Sequence, residues 1–282
     1  MFRFAWRAVV FGAVLGTAAV VAVLATGYRR PEGPPPSEIT LPSPTDRAVV
    51  VELFTSEGCS SCPPADELLK RLSHEGVVPG VRVLTLAEHV DYWDRLGWRD
   101  PFSSPGFSNR QSEYETRVFH SGSVYTPQVV IDGRLQAVGS DVNAVRSAIA
   151  RAAQDLKVGV VVTAQPDDAG HLRVQVEVAP APGVVIAQRA DVIVALTEDQ
   201  LTSDVQRGEN RGRRLRHGAV VRSLTTLGSL TALNTFSGVT AVPTAPSWVT
   251  RNLSVIAFVQ ERQSRRIVGA TSADIHQPPN GS

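Results

Sequence analysis

An α/β layer followed by an all-β, sandwich-like half is the fold class the sequence predicts, and three observations predict it. Val49 to Phe54 reads as a short buried strand that runs toward a helix over Pro63 to Leu72, with Leu68, Leu69 and Leu72 on one side. Gln128 to Ile131 and Leu135 to Val138 are strand-like and are joined by Asp132-Gly133, a dipeptide suited to a tight hairpin. Beyond Lys157 the texture changes, and Leu172-Arg173-Val174-Gln175-Val176-Glu177-Val178 alternates strictly, one strand face in a core and the other in water.

At 282 residues the chain has room for two domains of ordinary size once a non-globular N-terminus is set aside. Arg3 and Arg7 precede an uncharged apolar stretch from Ala8 to Thr26, and Arg29, Arg30 and a run of prolines follow it. This is the pattern of an export segment. At 1.5 Å per residue the stretch is also long enough to cross a bilayer, so residues 1–30 are either a signal peptide cleaved after Ala25 or an anchor to the inner membrane formed by residues 8–26. Either reading places the remainder in the periplasm or outside the cell. Residues 31–47 are rich in Pro and Ser with few large apolar side chains, as expected of an extended linker.

The segment 48–157 then gives the order strand, helix, strand, insertion, hairpin, helix, which is that of a thioredoxin-like α/β domain. Its second strand is Val81 to Ala87, its insertion runs from Glu88 to Ser123, and its last helix extends from a cap at Asp141 to about Leu156. The segment 158–275 offers further strands at Val158 to Ala164, Asp191 to Thr197, Ala219 to Leu224, Leu253 to Gln260 and Arg266 to Ala270. It reads as a β-sandwich-like domain, with 276–282 as a tail. The expected class is therefore an α/β thioredoxin-like N-terminal domain followed by an all-β sandwich-like C-terminal domain.

The chain holds only two cysteines, and they stand as Cys59-Ser60-Ser61-Cys62 at the junction of the first strand and the first helix. A helix N-terminus favours the thiolate, the form in which a cysteine attacks, so Cys59 is the candidate nucleophile and Cys62 the residue that resolves a mixed disulfide. Pro63 and Pro64 fit the first turn, where a missing N–H costs little. Glu52 and Glu57 are candidates to accept a proton or to raise a thiolate pKa, against the plainer reading of surface carboxylates. The pair has two other readings, a structural disulfide and half of a zinc site. Zinc lacks the remaining ligands, and a disulfide over so short a loop removes little entropy from the unfolded chain.

Thr126-Pro127, at the start of a strand with Tyr125 before it, is the second candidate element: thioredoxin-like folds set a cis-proline beside the CxxC sulfurs, and an ordinary trans-proline before a strand is the plainer reading. His89, Asp91, Tyr92, Trp93, Asp94 and Trp98 gather polar tips and aromatic bodies after the second strand, so that His89, Trp93 and Tyr125 are candidate substrate contacts. An insertion stapled down by buried tryptophans explains the same segment equally well. His89, Asp91 and Asp94 lack a recognised metal-ligand spacing, and no metal or organic cofactor is expected. Arg211, Arg213, Arg214, Arg216 and His217 form a basic run that reads as a solvated loop or, with a partner, as a site for carboxylates or anionic lipid heads.

Val50 to Asp66, His89-Val90-Asp91-Tyr92-Trp93-Asp94, Asn109-Arg110-Gln111 and Tyr125-Thr126-Pro127-Gln128 resemble a bacterial family named only as domain of unknown function 1223. The resemblance continues through Gly208-Glu209-Asn210-Arg211-Gly212 and Leu215-Arg216-His217. It implies a place in the thioredoxin-like superfamily and no particular reaction.

The leading expectation is an exported thiol-disulfide oxidoreductase in which Cys59 attacks, Cys62 resolves and Thr126 and Pro127 orient the substrate. Its partners would be an exported protein or small thiol and a redox partner. The formal net charge of +1 argues against nucleic acid. The alternative is a non-catalytic envelope protein with a structural disulfide and a binding or assembly surface.

Overall fold

Cross-strand pairing, rather than the sequence order of elements, decides the architecture. The computed structural model describes residues 47–275 apart from 75–77, 168 and 232–233. The expected export segment, nearly all of the linker and the tail lie outside the described residues. Among these residues no helix is long and apolar enough to cross a membrane.

The first half contains β1 (Arg47–Thr55), α1 (Pro63–His74), β2 (Val81–His89), α2 (Pro105–Tyr114), β3 (Gln128–Ile131), β4 (Leu135–Val138) and α3 (Val142–Ala152). The second half adds β5 (Gly159–Pro166), β6 (His171–Ala179), β7 (Ala190–Glu198), β8 (Leu201–Asp204), β9 (Arg214–His217), β10 (Val220–Leu230), β11 (Phe236–Pro243), β12 (Leu253–Glu261) and β13 (Ile267–Asp274). Eight of these strands form one mixed sheet in the order β13-β12-β7-β10-β2-β1-β3-β4. A three-stranded sheet, β11-β6-β5, and the two-stranded ribbon β8-β9 complete the strands.

The expected fold class is therefore corrected. The protein is mostly β, built on a large mixed sheet with few helices, and its first half is not a thioredoxin-like α/β domain. The physical reason lies at β2. Read alone, β2 would be an exposed sheet edge, with N–H and C=O groups left to be covered. In the structure β10 takes that edge in parallel at Val220 opposite Ala87, and Ala87 N–H donates to Ala219 O at 2.8 Å. Asp132 in the first hairpin fastens a second seam. Its side chain accepts from Val50 N–H at 2.9 Å, and its carbonyl accepts from Ile267 N–H at 3.0 Å.

Packing follows the same continuity. On the α2 side, Val50, Leu86 and Phe107 share one core cluster with Ile193 and Phe258 from the second half. On the α1 side, Val51, Leu53, Leu69, Val145 and Ile149 bury α1 and α3 against the sheet. The alternating strand read from sequence is β6, whose Leu172, Val174, Val176 and Val178 are buried while Arg173 and Gln175 are exposed. They pack with Val194, Val255 and Val259, so sandwich-like packing is present, but its larger layer runs on into the first half.

Local signals are met. Asp132 and Gly133 both have positive φ (47° and 70°) in the β3-β4 hairpin, and Asp141 caps α3 by accepting from Ala144 N–H at 3.0 Å. The expected strands after Lys157 are all present with bounds shifted by a few residues, whereas β8, β9 and β11 were not anticipated.

Candidate functional site

The site begins where β1 leaves the sheet. Thr55 ends the strand, and Ser56-Glu57-Gly58 turn the chain so that Cys59 N–H donates to Ser56 O at 3.2 Å. Trp93 packs closely against Gly58, where a Cβ would lie 3.2 Å from the Trp93 Cβ. Cys59 and Cys62 form a disulfide with a Cα–Cα distance of 5.4 Å. Both cysteines are fully buried, whereas Ser60 and Ser61 between them are exposed.

Cys62 is the last residue before α1, and its carbonyl accepts from Ala65 N–H at 2.8 Å and Asp66 N–H at 3.1 Å. Pro63 and Pro64 occupy the first helical positions and offer no N–H. The helix thus presents fewer free donors to a sulfur than a bare N-terminus would. The polar atom placed at Cys59 Sγ is Ser61 Oγ, 3.3 Å away.

The loop between β8 and β9 reaches over from the second half. Asn210 Nδ2 donates to Glu57 O at 2.8 Å and to Cys59 O at 2.9 Å, and Glu209 accepts from Ser60 N–H at 2.9 Å and Ser60 Oγ at 2.7 Å. These bonds from Ser60, side chain first, hold the Glu209 carboxyl below the usual carboxylate range.

Under the turn lies a buried network of five titratable side chains. Glu57 accepts from Trp98 Nε1 at 2.7 Å and is paired with His217 Nε2 at 2.9 Å. Asp100 accepts from Glu57 N–H at 2.8 Å and is paired with His89 Nδ1 at 2.7 Å. Asp66, one turn into α1, accepts from Thr55 Oγ1 at 2.8 Å. The rings of His89 and His217 stand 5.1 Å apart edge-to-face, with Phe102 against both. His89 Nε2 and His217 Nδ1 are buried without a hydrogen-bond partner.

The open His89 nitrogen is where that ring can take up or release a proton. Burial alone would lower the His89 pKa, but the adjacent Asp100 outweighs it by charge and hydrogen bond, and the net shift is upward. Burial likewise works to raise Asp100, but His89 and the N–H groups of Glu57 and Phe102 hold it below its ordinary value. At Asp66 burial prevails over the nearby His217 and His89, and the carboxyl is pushed up toward its neutral form.

The other residues anticipated from sequence are placed as follows. The Thr126–Pro127 peptide is cis. Trp93, half-buried, donates from Nε1 to Thr126 Oγ1 at 2.8 Å, so one side chain touches both the cysteine turn at Gly58 and the Thr126-Pro127 segment. A Cβ on Gly139 would crowd Ala65, Leu53 and Pro127 within 3.1 Å, which places Pro127 against α1 and β1. Tyr125 is half-buried, with its hydroxyl 3.3 Å from Gln136 Oε1 and its carbonyl accepting from Gln111 Nε2 at 2.8 Å. His89 lies beneath the surface in the buried network, not on a groove wall.

Glu52 is buried but belongs to the opposite face of β1, where it accepts from Arg110 Nε at 2.7 Å and Tyr114 Oη at 2.6 Å. Asp91 accepts from Ser108 Oγ, and Asp94 from Ser103 Oγ and Asp100 N–H. Among the described residues no group of three or more His, Cys, Asp or Glu is arranged to hold a metal ion.

Sequence reading missed Asp66, Asp100 and His217 as parts of the site. For His217 a signal was present: Leu215 and His217 alternate with Arg214 and Arg216, the period-two pattern of a strand with one face inward.

Fold and site together define a mostly β protein that holds a buried Cys-Ser-Ser-Cys disulfide over a network of paired carboxylates and histidines. The chain belongs to the family described as Protein of unknown function (DUF1223), which matches residues 50–260. Among solved structures it is similar to that of a protein from Agrobacterium tumefaciens, at 28% identity and a TM-score of 0.62, over 83% of this chain and 97% of that one. It is also similar in fold to HBP35 of Porphyromonas gingivalis, at 15% identity and a TM-score of 0.59, over 84% of this chain and 78% of the other. No curated protein matches it.

Proposed function

We propose that the protein is an exported thiol-disulfide oxidoreductase acting through Cys59 and Cys62. The observation that supports this most is that a disulfide with a sequence separation of 3 is backed by buried titratable groups from both halves of the chain. So short a loop contributes little to stability. A structural staple has no use for paired histidines beneath it, whereas a couple that exchanges protons with each electron pair does.

In the reducing direction Cys59 gives up its proton, and the resulting thiolate attacks a substrate disulfide, forming a mixed disulfide through Cys59 Sγ. The displaced substrate sulfur leaves and takes a proton. Cys62 then gives up its proton and attacks Cys59 Sγ, the second substrate sulfur leaves as a thiol, and the Cys59–Cys62 disulfide forms. The substrate gains two electrons and two protons, and the pair loses them. The reverse sequence oxidises a substrate dithiol, and a second dithiol or disulfide protein regenerates the starting state. Thr126 and Pro127 orient the substrate backbone, and Trp93 fixes their position relative to the turn. Action outside the cytoplasm rests on the apolar segment 8–26 behind Arg3 and Arg7.

One observation favours the alternative, a non-catalytic envelope protein with a structural disulfide: both sulfurs are fully buried. The Cys62→Ser protein separates the two. With exchange chemistry it holds a disulfide-bonded peptide on Cys59 in a stable adduct seen by mass spectrometry, and Cys59→Ser holds none. Absence of the adduct from both variants, with the fold intact by circular dichroism, overturns the proposal.

A further inference from the structure

Alongside the cysteine turn runs a groove with a cavity volume of 460 Å³. The first helical residues, Pro63 and Pro64, form one wall together with Glu67, and Arg213, Arg214 and Arg216 form the other. All three arginines are exposed. Arg213 donates to the Asn210 side-chain oxygen at 2.8 Å, and Arg214 lies 3.9 Å from Asp204 with both side chains 67% exposed. Arg216 has no ion pair among the described residues.

The acids of the groove do not balance these charges. Glu67 is paired with Lys70 at 2.6 Å, and the Asp66 carboxyl is buried, where it accepts from Thr55 Oγ1 at 2.8 Å. Arg214 and Arg216 share the outer face of β9, with Leu215 and His217 turned inward. Residues two apart on a strand are separated by about 6.6 Å, the same spacing as alternate side chains of an extended peptide. Guanidinium groups pair with carboxylates through two parallel N–H donors. A net charge of +1 and a concave wall carrying a glutamate suit neither nucleic acid nor a flat anionic membrane.

We propose that this groove binds an extended acidic segment of another protein, with carboxylates at alternate positions seated on Arg214 and Arg216. On the exchange reading above, the groove selects substrates whose cysteine lies next to such a segment. His217, which anchors Glu57, is the inward neighbour of Arg216, so one strand carries both the selective rim and the support of the turn.

The test uses a cysteine-free peptide with glutamate at alternate positions, labelled for fluorescence anisotropy and titrated into the oxidised full chain. Binding is expected to weaken with added salt and to fall about tenfold or more in Arg214→Glu/Arg216→Glu, whose two changes are at exposed positions. A peptide with glutamine in place of glutamate is expected to bind at least tenfold more weakly. Equal binding by the charge-reversed protein, equal binding of the glutamine peptide, or binding to phosphatidylglycerol vesicles but not to the peptide overturns the proposal. Cys59→Ser is expected to bind the peptide unchanged, so failure of the exchange chemistry and failure of the groove give different results.

Discussion

Two buried charged networks lie on opposite faces of β1, and they are neutralised in different ways. On the α2 face Arg110 sits between Glu52 at 2.7 Å and Glu88 at 3.4 Å, and also bonds Gln260 at 3.0 Å and Tyr114 at 2.9 Å. Burial works against the Arg110 charge, but Glu52, Tyr114 and Glu88 raise its pKa far beyond any working pH. Burial and the neighbouring Glu52 push the Glu88 pKa well up. On the α1 face the partners of Glu57 and Asp100 are the histidines His217 and His89, and Asp100 raises the His89 pKa above its ordinary value. A fixed cation makes the first network a piece of scaffold that joins the two halves through Gln260. A titratable cation makes the second one responsive, and only the second lies under the disulfide.

The sharpest break of this comparison is Arg110→Ala. Removing the buried Arg110 guanidinium leaves the Glu52 carboxylate without the cation it is paired with, and a loss of about 3–5 kcal/mol in urea unfolding is expected. The reduction potential of the cysteine pair should not change in the surviving folded protein. A loss near zero would mean the α2 network is not the scaffold described.

Next in size is His217→Ala, which strands Glu57 in the interior with Trp98 as its remaining side-chain donor. The expected loss is about 2–3 kcal/mol, and here the reduction potential moves as well. A stability loss with an unmoved potential would reduce the network to structural support.

Asn210→Ala removes two hydrogen bonds to the backbone of the turn, at Glu57 and Cys59, and is expected to cost about 1–3 kcal/mol. Thermal melts measure this directly, and the disulfide should also be reduced faster by dithiothreitol.

A smaller effect is the pH dependence of the wild-type protein. His89 has its folded pKa raised above the ordinary 6.5, so its contribution to stability is complete below that value and is lost as pH rises through the raised pKa. Asp66, also raised, acts in the same direction at lower pH. Asp100 is lowered, so its contribution is present above the ordinary 3.8 and disappears as pH falls through its folded value. Urea unfolding across pH 5 to 9 should show stability declining above about pH 6.5. His89→Asn should flatten that limb, and a wild-type curve already flat there would contradict the assignment. Glu209→Ala is the mildest change, with no measurable shift in melting and only faster access of dithiothreitol to the disulfide.

The local elements were legible because their signals are local. The Cys59–Cys62 junction, the Asp132-Gly133 hairpin, the Asp141 cap and the alternation of β6 each follow from residues a few positions apart. The joining of the halves was not legible. A fully buried strand such as β7 or β12 gives a continuous apolar run that names no partner, and the parallel contact of β10 with β2 links residues more than a hundred positions apart. The site divides in the same way. Cys59, Cys62, Thr126, Pro127 and Trp93 announce themselves by type and spacing, but Asp100 and His217 are ordinary surface-like residues until folding buries them. Glu52 and Glu57 are both acidic and close in sequence, yet β1 sends Glu52 to the scaffold and the turn sends Glu57 to the site.

The central claim is that Cys59–Cys62 is an exchangeable couple, and its reduction potential tests this most directly, by equilibration of the full chain against glutathione and dithiothreitol with thiol counting. The account predicts a reversible value within the range of known exchange proteins, roughly −120 to −270 mV. A value well below about −300 mV, or thiols that do not pair again once reduced, would contradict it and mark the disulfide as structural.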